Sequence, residues 1–410
     1  MARDHGGQVE PRPHRITIVS RIYAPEPSAA SLRLEALTRE FTRRGHEVRV
    51  LTTRPPRDAV SASHGGAVID RWPVLRDRSG YVRGYLQYMS FDVPLFLRMV
   101  FGPRADAYVI EPPPTTGAVA RLASRIRRRP YVYYAADIWS DAAQMTGAAG
   151  WVIGVVRWLE RFALRGADSN LVVSDGVVSR IASLAPGAKT SPVGHGVDTE
   201  LFSPRGPHIA DPADIVYMGT MSEWHGAGVA VEALAIVMSA DPHVTAAFIG
   251  QGADRDALHA AAIAHGIGDR VRFLPPVPAE EAAMWLRSAR IALATLQPGK
   301  GYDFAVPTKL YAAMAAGTPV AYSGPEPLRT LVSEDGLGTS AAHNAADYAE
   351  AISELLRRSD GEPVQHLVDW AEKHVSSVSV AGRAADAVLG VVDSRTARGR
   401  PVGGRSATER

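Results

Sequence analysis

The 410-residue sequence contains no cysteine. That removes disulfide frameworks, thiolate metal sites, iron–sulfur clusters and cysteine nucleophiles together. Lysine is nearly missing as well: Lys189, Lys300, Lys309 and Lys373 stand against 41 arginines. Codon usage explains such a bias, but it makes each remaining lysine conspicuous. Neither sign of charge dominates, with 45 basic and 43 acidic residues and a formal net charge of +2, so the balance names no nucleic-acid partner. No apolar run of about 18 residues occurs, which argues against a membrane span. Residues 1–14 are polar, lack the apolar core of a secretory signal and read as a disordered leader. Residues 394–410 hold five arginines among Gly, Ser and Thr and read as a disordered tail.

Hydrophobic residues make up 46% and charged residues 21%, the balance of a globular chain, and the length calls for two to three domains. Short apolar runs alternate with helical periodicity. Arg15–Ser20 and Glu47–Thr52 read as strands, and between them Leu34, Leu37, Thr38 and Phe41 recur on one helical face closed by Gly45. This is a βαβ unit. Strands at Ala107–Ile110, Pro130–Ala135 and Asn170–Ser174 continue the series. A second begins at Asp214–Gly219 and runs through Val244–Gly250, Val271–Leu274, Ile291–Ala294 and Pro319–Tyr322, with helices between. The pattern predicts two tandem Rossmann-like, doubly wound parallel-sheet α/β domains facing an interdomain cleft. The expected boundaries are 15–192 for the first domain, 193–204 for a Gly/Pro-rich linker, 205–378 for the second, and 379–393 for a helix crossing back.

Several loops follow strands and open helices, the usual place for ligand groups. Gly219-Thr220-Met221-Ser222-Glu223-Trp224-His225-Gly226 would present backbone N–H groups at a helix start, which suits a phosphate, although an ordinary βα loop has the same appearance. Gly250-Gln251-Gly252 lacks the third glycine of a dinucleotide fingerprint. In Val306-Pro307-Thr308-Lys309-Leu310, Thr308 is expected as the N-cap and Lys309 in the first turn. There its charge opposes the helix dipole unless an anion is present. In the first half, Ser28, Ala29 and Arg33 lie at the start of the first helix, and Asp137 and Trp139 follow a strand. Asp137 suits orientation of a sugar hydroxyl, stabilisation of developing positive charge, or plain helix capping. The segment 80–101, with Arg83 and Arg98, and the arginines at 121, 125 and 127–129 fit either a core helix pair or an interfacial membrane face. No metal-ligand spacing is present.

Taken together, these residues resemble the GT-B retaining glycosyltransferases of family 4 (group 1), in the branch with a Pro-Ser/Thr-Lys donor loop, found among bacterial sugar transferases of surface-polysaccharide and antibiotic pathways. The resemblance runs from about Arg15 to Val392. It is carried by Tyr23-Ala24-Pro25-Glu26-Pro27, Arg43-Arg44-Gly45-His46-Glu47-Val48, Asp137-Ile138-Trp139, Gly194-His195-Gly196-Val197-Asp198 and Pro307-Thr308-Lys309 through Gly317-Thr318-Pro319-Val320. It implies metal-independent hexosyl transfer, with retention, from a nucleotide diphosphate sugar (a UDP-sugar first) to an acceptor hydroxyl. No cofactor is implied beyond that co-substrate. The implied catalytic residues are Lys309, Asp137 and His225. The implied donor residues are Gly219, Thr220, Glu223, Gly250, Pro307, Thr308, Lys309 and Glu326, with Asp303 as another candidate for the ribose. The implied acceptor residues are Ser28, Ala29, Arg33, Asp137 and Trp139.

The sequence departs from the family pattern in places. Thr220 and His225 stand where many members have Arg and Lys, and Ala312 stands where they have a ribose-binding glutamate. An epimerase or hydrolase of the same fold, or a non-catalytic partner subunit of another transferase, fits those departures. The acceptor expected is a polyprenyl-linked saccharide or a small metabolite, and the location cytoplasmic, with peripheral contact at the inner face of the plasma membrane as a further expectation.

Overall fold

The computed structural model describes residues 13–26, 28–56, 66–77, 82, 84–145, 148–300, 303, 306–359 and 362–399. The chain divides into two units: residues 1–193 together with 381–410, and residues 194–380.

The first unit is built on a seven-stranded parallel sheet. Its strands are β1 (Arg15–Val19), β2 (Glu47–Thr53), β3 (Val68–Trp72), β4 (Ala107–Ile110), β5 (Tyr131–Ala135), β6 (Ser169–Val172) and β7 (Thr190–Pro192). They lie in the order β3-β2-β1-β4-β5-β6-β7. The central strands β4, β5 and β6 are buried at every residue, as expected of a sheet covered on both sides. Among the described residues six helices connect these strands: α1 (Ala29–Arg43), α2 (Tyr85–Phe101), α3 (Pro114–Arg127), α4 (Trp139–Met145), α5 (Gly150–Gly166) and α6 (Asp175–Leu184). The strand order reverses at β1, so right-handed crossovers put α1 on one face and α3, α5 and α6 on the other. α3 packs between α2 and α5. Gly117 of α3 permits that packing, since a Cβ there would sit 2.7 Å from both Ala163 and Tyr133. Arg98, for which a core helix pair and an interfacial face were both open, is buried and donates to the carbonyls of Thr52 and Asp70. Arg83 lies outside the described residues.

The second unit holds a six-stranded parallel sheet of β8 (Ile215–Met218), β9 (Ala246–Ile249), β10 (Val271–Leu274), β11 (Ile291–Thr295), β12 (Val320–Ser323) and β13 (Gly338–Ala341), ordered β10-β9-β8-β11-β12-β13. The helices are α7 (Gly228–Ala240), α8 (Arg255–Ala264), α9 (Ala279–Ser288), α10 (Thr308–Ala315), α11 (Leu328–Glu334), α12 (Ala345–Arg358) and α13 (Gln365–His374). Across the sheet Tyr217, Phe248 and Phe273 form a column with successive ring centres 5.1 Å apart. On one side α7 and α12 pack together, and on the other α10 packs on α13. Ala312, Ala313, Ala315 and Ala316 are all buried in the second core. The alanines of α10 therefore bring its backbone close to the sheet.

The last helix, α14, spans Ser377–Gly399. It extends past the expected end at residue 393 and is helical over 394–399, where a tail was expected. Its sequence there lacks apolar periodicity, but Arg395 holds it by donating to Asp168 at 2.7 Å. Among the described residues, no helix is long and apolar enough to cross a membrane.

Candidate functional site

In the second unit the chemistry gathers where β8 and β9 end and α10 begins. Gly219 follows β8 with φ +115. Its carbonyl lies against Gly250, where a Cβ would come within 2.0 Å of that oxygen, and a Cβ on Gly252 would come within 1.8 Å of the Met221 carbonyl. These glycines are required because two loop backbones lie in direct contact. Hydrogen bonds lock the pair: Gly219 N–H donates to Ile249 at 2.8 Å, Met221 N–H to Gln251 at 2.9 Å, and Gly250 N–H to Leu274 at 3.1 Å. The loop amides of Gly219, Met221, His225 and Gly226 are thus engaged within the fold. Those four amides are therefore not presented to a phosphate by the 219–226 loop.

Lys309 lies against this loop. Its Nζ is 3.9 Å from the centre of the Tyr217 ring and 3.8 Å from where a Gly219 Cβ would be. The ammonium is buried and has no hydrogen-bond partner among the described residues. Burial pulls its pKa down to about 7. The Tyr217 face offsets part of that desolvation, an interaction of about 0.5–2 kcal/mol. Pro307, not Thr308, is the N-cap of α10. Thr308 is the first helical residue, and no side chain caps the helix. A proline N-cap leaves the first-turn amides without a side-chain acceptor. The Leu310 amide turns back to the Pro307 carbonyl at 3.0 Å, so Lys309 Nζ and the amides of Thr308 and Lys309 form an unsatisfied positive site of the kind an anion completes.

The other expected donor residues are placed as follows. His225 is buried; its Nδ1 shares a 2.8 Å hydrogen bond with Ser222 Oγ and its ring stacks on Trp224. Burial first, and the charge of Lys309 second, lower its pKa to about 4, so it is neutral at pH 7. Glu223 is exposed and pairs with Lys300 at 2.5 Å, which holds its carboxyl below the usual range. Thr220 is exposed, and its carbonyl accepts from the Tyr217 hydroxyl at 3.2 Å. Glu326 serves the start of α11, accepting from Thr330 N–H at 3.0 Å and Thr330 Oγ1 at 2.9 Å. Asp303 accepts from Gly299 N–H at 2.8 Å. Ala312 is buried in the core and offers no polar group.

The first unit has a cavity of about 290 Å³ at the carboxyl ends of β1 and β4, reached by Arg21, Ala29, Arg33, Glu111, Asp137 and Trp139. Ser28 Oγ caps α1 by accepting from Ser31 N–H at 3.0 Å, so its own polar group is engaged. Arg33 pairs with Glu111 at 2.5 Å and lies 4.6 Å from the centre of the Tyr134 ring. Arg33 Nε and Glu111 Oε2 are buried and unpartnered. Burial pushes the Glu111 carboxyl up, against the pull of Arg33. Asp137 does not cap α4. Glu160 from α5 does that instead, accepting from Trp139 N–H at 2.6 Å and Ser140 N–H at 3.0 Å. Asp137 is left exposed at the cavity, with no hydrogen bond or ion pair among the described residues.

Sequence reasoning missed Arg21. It is buried, donates to the Val82 carbonyl at 2.8 Å, and lies 4.3 Å from the Tyr88 ring and 5.8 Å from that of Trp139. Its Nε is also buried without a partner. Among the described residues no group of three His, Asp or Glu could hold a metal ion.

Two parallel-sheet α/β units of this kind match the GT-B glycosyltransferase architecture. Sucrose-phosphate synthase of Thermosynechococcus elongatus superposes with a TM-score of 0.68 at 16% identity, covering 93% of this chain and 100% of that one. Anabaena HepE in complex with UDP superposes at 0.67 with 16% identity, covering 92% and 100%. At these identities the likeness is one of fold. Residues 28–196 match the family described as glycosyl transferase 4-like domain, and residues 212–358 match glycosyl transferases group 1. The chain therefore carries both of these glycosyltransferase domains, in that order. Among curated proteins, a D-inositol 3-phosphate glycosyltransferase of Thermomonospora curvata is 28% identical over 207 residues, 45% of this chain and 46% of that protein. Its counterpart in Frankia alni is 31% identical over 184 residues, 40% and 44% respectively. The chain spans about half the length of the curated relatives it matches.

Proposed function

We propose that the chain transfers a sugar from a nucleoside diphosphate sugar, a UDP-sugar first, held by the second unit, to a hydroxyl of an acceptor held by the first, with retention at the anomeric carbon. The observation that carries this reading is the buried, unpartnered ammonium of Lys309 beside the uncapped start of α10. As the bond between the anomeric carbon and the diphosphate oxygen breaks, negative charge grows on the leaving phosphate. Lys309 and the amides of Thr308 and Lys309 stabilise that charge without reorganising. In this proposal the Pro-Thr-Lys segment is the donor loop, and Lys309 supplies the charge that a metal ion would otherwise bring. The Tyr217 ring and the Gly219 turn fix the ammonium in place. On the acceptor side Asp137 orients the hydroxyl, while Arg33 Nε and Glu111 Oε2 gain partners from the acceptor's polar groups. HepE, whose structures hold UDP and UDP-glucose, supports the choice of a uridine donor.

Lys309 makes donor binding depend on pH in a definite direction. In the empty site its pKa is about 7, and a bound diphosphate raises it. Between those two values binding brings in a proton, so affinity falls as pH rises above about 7, by at most about tenfold per pH unit. A UDP-sugar has no phosphate ionisation near neutrality and is the suitable probe. Isothermal titration at pH 8 in two buffers of different ionisation enthalpy should report uptake of close to one proton. Equal affinity across pH 6.5–9 with no proton uptake would show that binding does not change the protonation of Lys309. A donor panel with product mass spectrometry then tests the transfer itself; accumulation of free sugar or an epimer alone would overturn it.

A further inference from the structure

We propose that the outer side of α2, α3 and α5 is a docking surface for an anionic lipid bilayer. Among the described residues, ten of the seventeen exposed large hydrophobic side chains lie on these three helices. Their spacing is helical. On α5, Trp151, Val155 and Trp158 fall at i, i+4 and i+7; on α3, Leu122 and Ile126 fall at i and i+4; on α2, Val93, Leu97 and Phe101 follow at steps of four. Each helix thus buries one side against the sheet or its neighbours and shows a second apolar stripe outward. Phe101 is 79% exposed and Trp151 76%, values a folded surface rarely gives to such large rings. Because α3 packs between α2 and α5, the three stripes lie on neighbouring helices.

Charge selects the occupant. The acidic residues of these helices, Asp92 and Glu160, are both buried, with Asp92 accepting from Thr116 and Glu160 capping α4. The exposed ionised side chains on the three helices are all arginine: Arg125, Arg161 and Arg165, with Arg104 and Arg128 just beyond the ends of α2 and α3. Arg125 and Arg165 have no ion pair among the described residues. An outward layer of tryptophan, phenylalanine and aliphatic side chains interspersed with cations of one sign matches a bilayer with acidic headgroups. The rings enter the headgroup–acyl boundary and the guanidiniums meet the phosphates. A second copy of the chain fits poorly, since a two-fold contact would set arginine against arginine.

Membrane docking is read by mixing the full chain with vesicles of phosphatidylcholine alone and with phosphatidylglycerol added. Co-sedimentation and a blue shift of tryptophan emission are expected only with the anionic vesicles, weakening as salt rises. The pair Trp151→Glu and Trp158→Glu should reduce partitioning about tenfold or more. The pair Arg125→Glu and Arg165→Glu should reduce it about twentyfold or more while leaving the apolar stripes intact. Both variants should keep the melting temperature and the UDP-sugar affinity of the parent, because these side chains are solvent-exposed. Three results would overturn the proposal: no partitioning, partitioning indifferent to lipid charge, or partitioning unchanged in both variants. So would concentration-dependent self-association that the tryptophan variant abolishes, which would assign the face to a second copy.

Discussion

Replacing Lys309 with methionine should lower turnover about 10²–10³-fold while leaving the protein at least as stable as before. The loss follows from removing the buried ammonium that the proposed donor loop carries, at the scale seen when a pre-placed charge donor is deleted from a reacting centre. Ground-state binding of a UDP-sugar should weaken about 10–100-fold, the range of a charge-assisted contact. Stability should move the other way. An ammonium buried without a partner costs free energy, and a thioether of similar length does not. The sign follows from linkage. The pKa of Lys309 is about 7 in the fold against 10.5 ordinarily, so the unfolded chain binds more protons between those values. Parent stability therefore rises with pH from about 7 to 10.5, by an amount on the order of 5 kcal/mol at most. Lys309→Met should flatten that slope. Urea denaturation at pH 7 and pH 10 for both proteins measures the difference. A variant that turns over normally would remove the basis of the proposed function, whatever its stability.

A second large effect is expected at the Arg33–Glu111 pair. Glu111→Leu leaves the Arg33 guanidinium facing a cavity without its counter-charge and should cost the first unit about 3–5 kcal/mol. Arg33→Met alone strands the Glu111 carboxylate and should cost a similar amount. The double variant should recover most of the loss, because removing both charges together also removes the penalty of burying either. Chemical denaturation of the four proteins closes the cycle. If the double variant is as unstable as the sum of the singles, the two groups are not coupled as their 2.5 Å contact implies. Whatever stability the double variant regains, it should lose acceptor affinity, since Arg33 Nε and Glu111 Oε2 are the unsatisfied groups the acceptor would meet.

Much of this was readable in advance, for physical reasons that differ by element. The buried strands at 107–110, 215–218 and 246–249 are short apolar runs between turn residues, so period and length alone place them. The edge strand β3 was not read. Val68–Trp72 holds Asp70 and Arg71, and each of its residues is at least partly exposed. α5 was missed because its outward tryptophans disguise the inward face. Lys309 was legible because a lysine is rare here and opposes a helix dipole. Thr308 was misplaced by one position, since a proline N-cap offers no side-chain signal. Arg21 is one arginine among 41 in the sequence; its meaning comes from Tyr88 and Trp139, which only folding brings to it. The contact of Gly250 and Gly252 with the 219–221 backbone was likewise invisible, because a glycine that serves close packing looks like one that serves a ligand.

The composition of the first unit has a consequence for how the chain is made. Its sheet is complete by residue 193, yet Ala384, Ala385, Val388 and Val392 of α14 are buried parts of the unit. Arg44 reaches Asp386 at 2.5 Å, and Arg383 donates to the Val193 carbonyl at 2.8 Å. As the polypeptide leaves the ribosome, residues up to 193 must wait, with one groove open, until the entire second unit and then α14 have emerged. A contiguous fragment ending at residue 193 would keep that groove permanently unfilled, whereas the second unit, continuous from 194 to 380, carries all its own strands. The part that begins folding first is the last to be finished.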